Sequence, residues 1–145
     1  MKAYFDTSAI SKYFHEESGT DQVIKLVEDN ANTVWISELA ITEFLSAFHR
    51  KFRMKEIDAE ALHRVMMAFD SKVPLWNIEP FSTLQTEEAN HIIHEYGKSI
   101  GIRTLDALHL AAFYLLKQED WVFVVADKQL CHVADMAGVK TIFIQ

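Results

Sequence analysis

The chain reads as a single α/β domain over residues 1–145, built on a central, mainly parallel sheet of about five strands. Three observations predict this. Short runs rich in β-branched and aromatic residues alternate along the chain with helical stretches, the order in which right-handed crossovers build a parallel sheet. Several of these runs are apolar almost continuously instead of at every second residue, the pattern of a sheet covered on both faces. The first and fourth runs each end in an aspartate, Asp6 and Asp127. Open α/β sheets keep their working crevice there, beyond the carboxyl ends of the strands.

"KAYFD" (2–6) is the first strand, and helices follow over 7–14 and 20–30. "TVWIS" (33–37) is the second strand. The helix over 38–53 carries an apolar stripe through Ala40, Phe44 and Phe48. Asp58 stands as an N-cap before "AEALHRVMMAF", whose stripe of Leu62, Val65, Met66 and Phe69 defines a helix over 58–72. "WNIE" (76–79) is the third strand. A helix over 83–99 turns Ala89, Ile92, Ile93 and Tyr96 inward, and Thr86 before "EEANHIIHEY" reads as its cap, with acids behind it that suit the helix dipole. "RTLDALHLAAFYLL" lies on a helix over 104–118 that is apolar on nearly every side, so it is expected to be buried. "WVFVVAD" (121–127) is the fourth strand, a helix over 128–136 stops at Gly138, and "VKTIFI" (139–144) is the fifth strand.

Half of the 145 residues are apolar, enough for one compact core, and four Gly and two Pro leave little room for linkers. The lone Cys131 rules out an internal disulfide framework. No segment reads as a cleavable leader and no apolar run reaches membrane-spanning length, so a soluble, cytoplasmic protein without a membrane partner is expected. Lys and Arg total 14 against 21 Asp and Glu, a net charge of −7. That balance argues against general nucleic-acid binding, which uses basic surface to neutralise phosphates. A protein of this charge that handles a polyanion must bring in positive charge as metal ions or as a local patch.

Four acids depart from the pattern around them. A helix turns about 100° per residue, so Leu39, Glu43 and Ala47 share a line beside the Phe44 stripe, and Glu43 sits at its edge. Asp106 shares a line with Leu110 and Phe113. Glu60, by contrast, lies opposite its apolar stripe and Glu88 to one side of its own, and both read as solvated. Taken singly, Asp6, Glu43, Asp106 and Asp127 could each cap a helix or pair with an arginine. Taken together, with few basic residues to meet them, they would repel one another by something on the order of several kcal/mol in a partly dry pocket. A divalent cation removes that penalty, and oxygen-only donors suit Mg²⁺ or Mn²⁺ better than Zn²⁺.

"YFDTSAI", "ISELAITEFLSAF", "RTLDALHLAAFYLL" and "VVADKQLCHVADMAGVKTIFI", in this order and spacing, resemble the PIN-domain ribonucleases, in particular the VapC-type toxins of toxin–antitoxin pairs. The resemblance spans essentially the whole chain. It implies a PIN-like three-layer α/β/α fold and a metal-dependent endoribonuclease using Mg²⁺ or Mn²⁺. The family's acids fall on Asp6, Glu43, Asp106 and Asp127 as catalytic, metal-holding residues, and its small hydroxyl near the first acid falls on Ser8 or Thr7. Many members carry Thr or Ser two positions before the fourth acid, where this chain has Val125. The resemblance further implies an RNA substrate, a cognate VapB-type antitoxin and pairing as a homodimer, for which Tyr13, Phe14, Phe48 and Phe52 are candidate contacts unless they are core.

The densest basic run, "HRKFRMK", offers Arg50, Lys51, Arg53 and Lys55 either as phosphate contacts or as cations suited to a helix C-terminus. "EALH" and "EANH" match the Glu-x-x-His of di-iron bundles, but each pair points away from its apolar stripe. His109 reads as a packed core residue more readily than as a base. An aspartate-based phosphatase would need a second acid where Ser8 stands. A PIN fold retained only as an interaction module is the non-enzymatic alternative.

Overall fold

A computed structural model describes residues 1–145. Five strands form one wholly parallel sheet in the order β3-β2-β1-β4-β5, with β1 Lys2–Phe5, β2 Thr33–Ser37, β3 Asn77–Glu79, β4 Trp121–Val125 and β5 Thr141–Phe143. Seven helices, α1 Thr7–Ile10, α2 Thr20–Glu28, α3 Glu38–Arg53, α4 Ala59–Lys72, α5 Thr83–Tyr96, α6 Thr104–Leu116 and α7 Lys128–Met136, complete the α/β/α arrangement. The chain winds outward from β1 through β2 to β3, then returns to β4 on the other side of β1. The strand order therefore reverses between β1 and β4, and the carboxyl ends of these two strands flank the crevice where such sheets bind ligands.

Alternation along the strands distributes two cores. Tyr4, Trp121, Phe123 and Val125 face α5, α6 and α7, where they pack with Ile92, Leu110, Phe113, Leu130 and Val133. Ala3, Phe5, Val34, Ile36 and Val124 face the other way, against Ala9, Ile10, Val23 and Ala40 of α1, α2 and α3. Both faces are covered, which is why the strands lack polar alternation. A third, smaller core joins α3 to α4: the Phe44 and Phe69 rings stack at 3.9 Å, with Phe48, Ile57 and Val65 beside them. Phe48 is thus core; Tyr13 and Phe14 are half-buried around Trp76, and Phe52 is exposed.

Several boundaries differ from the sequence expectation. The stretch after β1 is one α-helical turn followed by a 3₁₀ turn over Ser11–Tyr13. Thr86 lies inside α5; Ser82 caps that helix, its hydroxyl accepting from the Gln85 N–H at 3.3 Å. Ser82 is the residue that holds an extended backbone just before Thr83, as a cap requires, and Gln85 closes the turn by donating to the Pro80 carbonyl at 2.9 Å. Asp58 caps α4 as expected, and Gly138 follows α7 at φ 77°, the left-handed stop that glycine permits. The α6 helix is not buried on all sides: Leu105, Tyr114 and Leu115 are 40%, 39% and 48% exposed. Asp106 and His109, polar residues of this helix, meet Arg103, Glu43 and Thr7 at the crevice. No helix is long and apolar enough to cross a membrane.

Candidate active site

The end of β1 delivers Asp6 into the crevice. Its backbone N–H still donates to the Val124 carbonyl at 3.1 Å, which ties it to β4. Its carboxylate caps α1, accepting the Ala9 N–H at 3.0 Å, and the Ser8 hydroxyl lies 2.8 and 2.7 Å from its two oxygens. Ser8 Oγ in turn accepts the Ala126 N–H at 3.1 Å, so one hydroxyl spans the β1 and β4 ends. Asp6 is 2% exposed and no Lys or Arg is bonded to it. Burial pushes its pKa up to about 6, against the pull of His109, Ser8 and the Ala9 amide, with the nearby Asp106 adding to the rise.

Asp127 stands two residues beyond β4 and caps α7, accepting the Leu130 N–H at 2.8 Å. Asp106 enters from the first turn of α6. Burial raises its pKa; Arg103 opposes that rise, while Asp127 and Glu43 add to it. Glu43, on the second turn of α3, meets His109 Nε2 at 3.0 Å. Burial alone would raise its pKa, but hydrogen bonds with His109 and Thr7 and the electrostatic pull of His109 and Arg103 outweigh burial and leave it below the usual range. These mutual influences mark the four acids as one electrostatic unit at the switch point.

Two residues that pattern reading did not select complete the unit. Arg103 donates from Nε to Asp106 Oδ2 at 3.1 Å, and its Nη2 lies 3.6 Å from Asp127 Oδ2. The expectation that the acids would lack a matching Arg or Lys is thereby corrected for Asp106 and Asp127: Arg103 precedes α6 and reaches forward to both. The signal was its position three residues before Asp106, one helical turn away. His109 is 1% exposed, as a core residue would be, yet its Nε2 also lies 3.2 Å from Thr7 Oγ1, so it joins α6 to α1 and α3. Its Nδ1 has no partner.

The donor set is all oxygen and suits a hard divalent cation, and the buried Asp6 carboxylate, without a Lys or Arg of its own, is the element most in need of one. As the side chains stand, no three acidic, His or Cys groups converge closely enough to hold an ion. Asp106 and Asp127 are drawn to Arg103, and Glu43 to His109. Val125 is fully buried among the α6 and α7 side chains, so a hydroxyl at that position would have entered the core; Ser8 supplies the hydroxyl next to Asp6. Arg50, Lys51, Arg53 and Lys55 cluster at the far end of α3, where Lys51 pairs with Glu56 at 3.7 Å. Arg53 is ten residues past Glu43, about 15 Å along the helix. A surface cavity of about 540 Å³ between Phe52 and Ala59 lies at that end and not over the acids. His91 is 78% exposed and Glu88 beside it is half-buried, 3.8 Å away; the pair lies at the surface and forms no buried ligand set.

A family model described as PIN domain matches residues 3–136. No curated protein matches the chain. Among solved structures, FitAcB from Neisseria gonorrhoeae is 18% identical, with a TM-score of 0.68 over 96% of this chain and 95% of that one. VapBC2 from Rickettsia felis, solved with a DNA fragment from their promoter, is 14% identical, with a TM-score of 0.71 over 100% of both chains. VapC20 from Mycobacterium tuberculosis, described as a Sarcin-Ricin loop cleaving toxin, is 14% identical, with a TM-score of 0.69 over 94% of this chain and 95% of that one.

Proposed function

From the premise that the chain belongs to the PIN domain family, we propose that it is a metal-dependent endoribonuclease of the VapC toxin type, restrained by a cognate VapB-type antitoxin and acting as a homodimer. The observation that carries the reading is the electrostatic linkage of Asp6, Asp106, Asp127 and Glu43 at the reversal of strand order, around a buried carboxylate raised to about 6. The names of the structural relatives support the toxin reading: one was solved with a DNA fragment from their promoter, one is described as a toxin–antitoxin complex from Klebsiella pneumoniae, and one as a Sarcin-Ricin loop cleaving toxin.

Asp6, Asp106 and Asp127 would hold one or two Mg²⁺ or Mn²⁺ ions, with Glu43 holding a second ion or orienting water. A divalent ion bound there supplies Lewis-acid activation of water and neutralises charge on the phosphate. Water attacks phosphorus, the P–O3′ bond breaks, and the products are a 5′-phosphate and a 3′-hydroxyl, with no use of the 2′-hydroxyl as nucleophile. Ser8 fixes the Asp6 carboxylate, with Thr7 beside it holding His109. His109 aims Glu43. Arg103 holds Asp106 and Asp127 against mutual repulsion until a cation replaces it. Arg50, Lys51, Arg53 and Lys55 would meet RNA phosphates along α3.

Sequencing RNA 5′ ends after brief expression of wild type and of Asp6→Asn tests this. New 5′-phosphate ends are expected with wild type alone; equal ends from both would refute the site. The Arg103 pairing, together with acids that do not converge on a common point as they stand, favours a silent PIN-fold interaction module. Mn²⁺ calorimetry separates the two, because a silent module need not show strong binding heat.

A further inference from the structure

Beside the acids lies a cleft that the mechanism above does not use. It has a volume of about 440 Å³ and is lined by Lys12, Ala126, Lys128, Phe143, Ile144 and Gln145. We infer that it is a nucleotide subsite, receiving the phosphate and base next to the scissile bond of single-stranded RNA; the inference rests on the nuclease reading.

The cleft and the acid cluster share a wall. The Ala126 N–H is bonded to Ser8 Oγ, which is bonded to Asp6, and the residue after Ala126 is Asp127. A strand whose phosphate sits among the acids therefore lays its neighbouring nucleotide here. The volume falls within the roughly 300–1,000 Å³ of ordinary ligand pockets. A chain of net charge −7 with acids at its site repels RNA unless cations stand next to them. Lys128 is such a cation: exposed, at the first position of α7, and free of any ion pair. Lys12 also lines the rim, but its ammonium is paired with Glu17 Oε1 at 2.9 Å and its side chain is 16% exposed, so Lys128 carries the free positive charge of the cleft. The half-buried Phe143, which also packs against the α6 and α7 core, lines the cleft as its one aromatic residue, and bases stack on aromatic side chains with little regard to sequence. A free cation beside an aromatic residue suits a phosphate joined to a base better than a free anion. Lysine pairs with phosphate as a point charge, without reading the base, so the subsite adds affinity without sequence choice.

The test uses the full chain in its uncleaving Asp6→Asn form, with fluorescein-labelled oligouridine and oligoadenosine followed by anisotropy across a salt series. Lys128→Glu is expected to raise Kd about tenfold for both oligonucleotides and to reduce the salt slope by about 0.7. Lys12→Gln is expected to act in the same direction. A glutamate at the first position of a helix suits the dipole, so Lys128→Glu keeps the fold, which an unchanged Tm verifies. Unchanged Kd and slope in Lys128→Glu would overturn the subsite, as would a loss confined to binding of an acidic peptide, which would make the cleft a protein-docking surface. Failure of the nuclease reading is separate: wild type with Mn²⁺ would cleave no RNA. A chain that binds RNA through Lys128 yet cleaves none retains the subsite and loses the nuclease, and one that binds no RNA loses both.

Discussion

His109 Nε2 lies 3.0 Å from Glu43 Oε1, across 66 positions of sequence. The same nitrogen lies 3.2 Å from Thr7 Oγ1. One buried imidazole thus sets the relative positions of α1, α3 and α6 at the mouth of the crevice. His109→Ala removes both contacts and leaves a cavity and a half-buried carboxylate without its partner. A loss of about 2–4 kcal/mol of stability is expected, with Glu43 free to swing. His109→Gln, which can present an N–H near the same point, should recover part of both stability and cleavage. Thermal unfolding and single-turnover cleavage of the three proteins check this; equal Tm for alanine and wild type would remove the histidine from the argument.

Asp6 predicts an unusual pH dependence. Its folded pKa, about 6, exceeds the ordinary 3.8, so the protonated form favours folding. That contribution is fully present below about pH 4 and is lost as pH rises through 6. A difference of about two units corresponds to about 3 kcal/mol. Asp6→Asn cannot ionise and should escape the loss, becoming more stable than wild type at pH 8 by about that amount. Urea unfolding of both proteins from pH 4 to pH 8 gives the difference curve, and a flat one would contradict the buried, raised carboxylate.

Divalent ions should act on stability in the same window. At pH 8 the Asp6 carboxylate is ionised and benefits from a cation, whereas at pH 5 most of it carries a proton. Millimolar Mn²⁺ is therefore expected to raise Tm at pH 8, to do much less at pH 5, and to lose its effect on addition of EDTA. Differential scanning fluorimetry suffices, and an equal shift at both pH values would place the ion elsewhere.

Arg103 competes for the carboxylates an ion would use. Its side chain is 77% exposed, so its ion pairs with Asp106 and Asp127 contribute little to folding, on the order of 1 kcal/mol or less. Arg103→Gln should leave Tm nearly unchanged while tightening Mn²⁺ binding in calorimetry, because an internal cation has been removed. Weaker Mn²⁺ binding in the variant would show that the arginine organises the acids instead of occupying them.

The α3–α4 hairpin depends on its own aromatic core. Phe44 is fully buried, stacks on Phe69 at 3.9 Å and also meets the rings of Phe14 and Phe48. Phe44→Ala is expected to cost about 3–5 kcal/mol. Because Glu43 is the preceding residue on α3, cleavage should fall together with the hairpin's hydrogen-exchange protection. Retained protection would mean the hairpin is held by something other than this ring stack.

Local pattern alone determined the parallel sheet, the order of its elements and the four acids that do not belong on apolar faces. Each is a property of residues a few positions apart: strand runs without polar alternation, Asp6 and Asp127 closing their runs, Glu43 at the edge of the Ala40–Phe44–Phe48 stripe. What such periodicity records is which face a segment buries, and burial is decided residue by residue. Only tertiary structure decided which groups meet. Thr7 and His109 are 102 positions apart, and their contact depends on how α6 crosses the end of β1. Lys12 and Lys128 share a cleft because β5, the last strand, lies beside β4 and brings Phe143 and Ile144 between them. Which residues of α6 stay exposed was equally hidden, since an all-apolar helix carries no polar pattern to mark Leu105, Tyr114 and Leu115. Strand order and helix crossing are set by the packing of whole elements against one another, and no short window of sequence contains them.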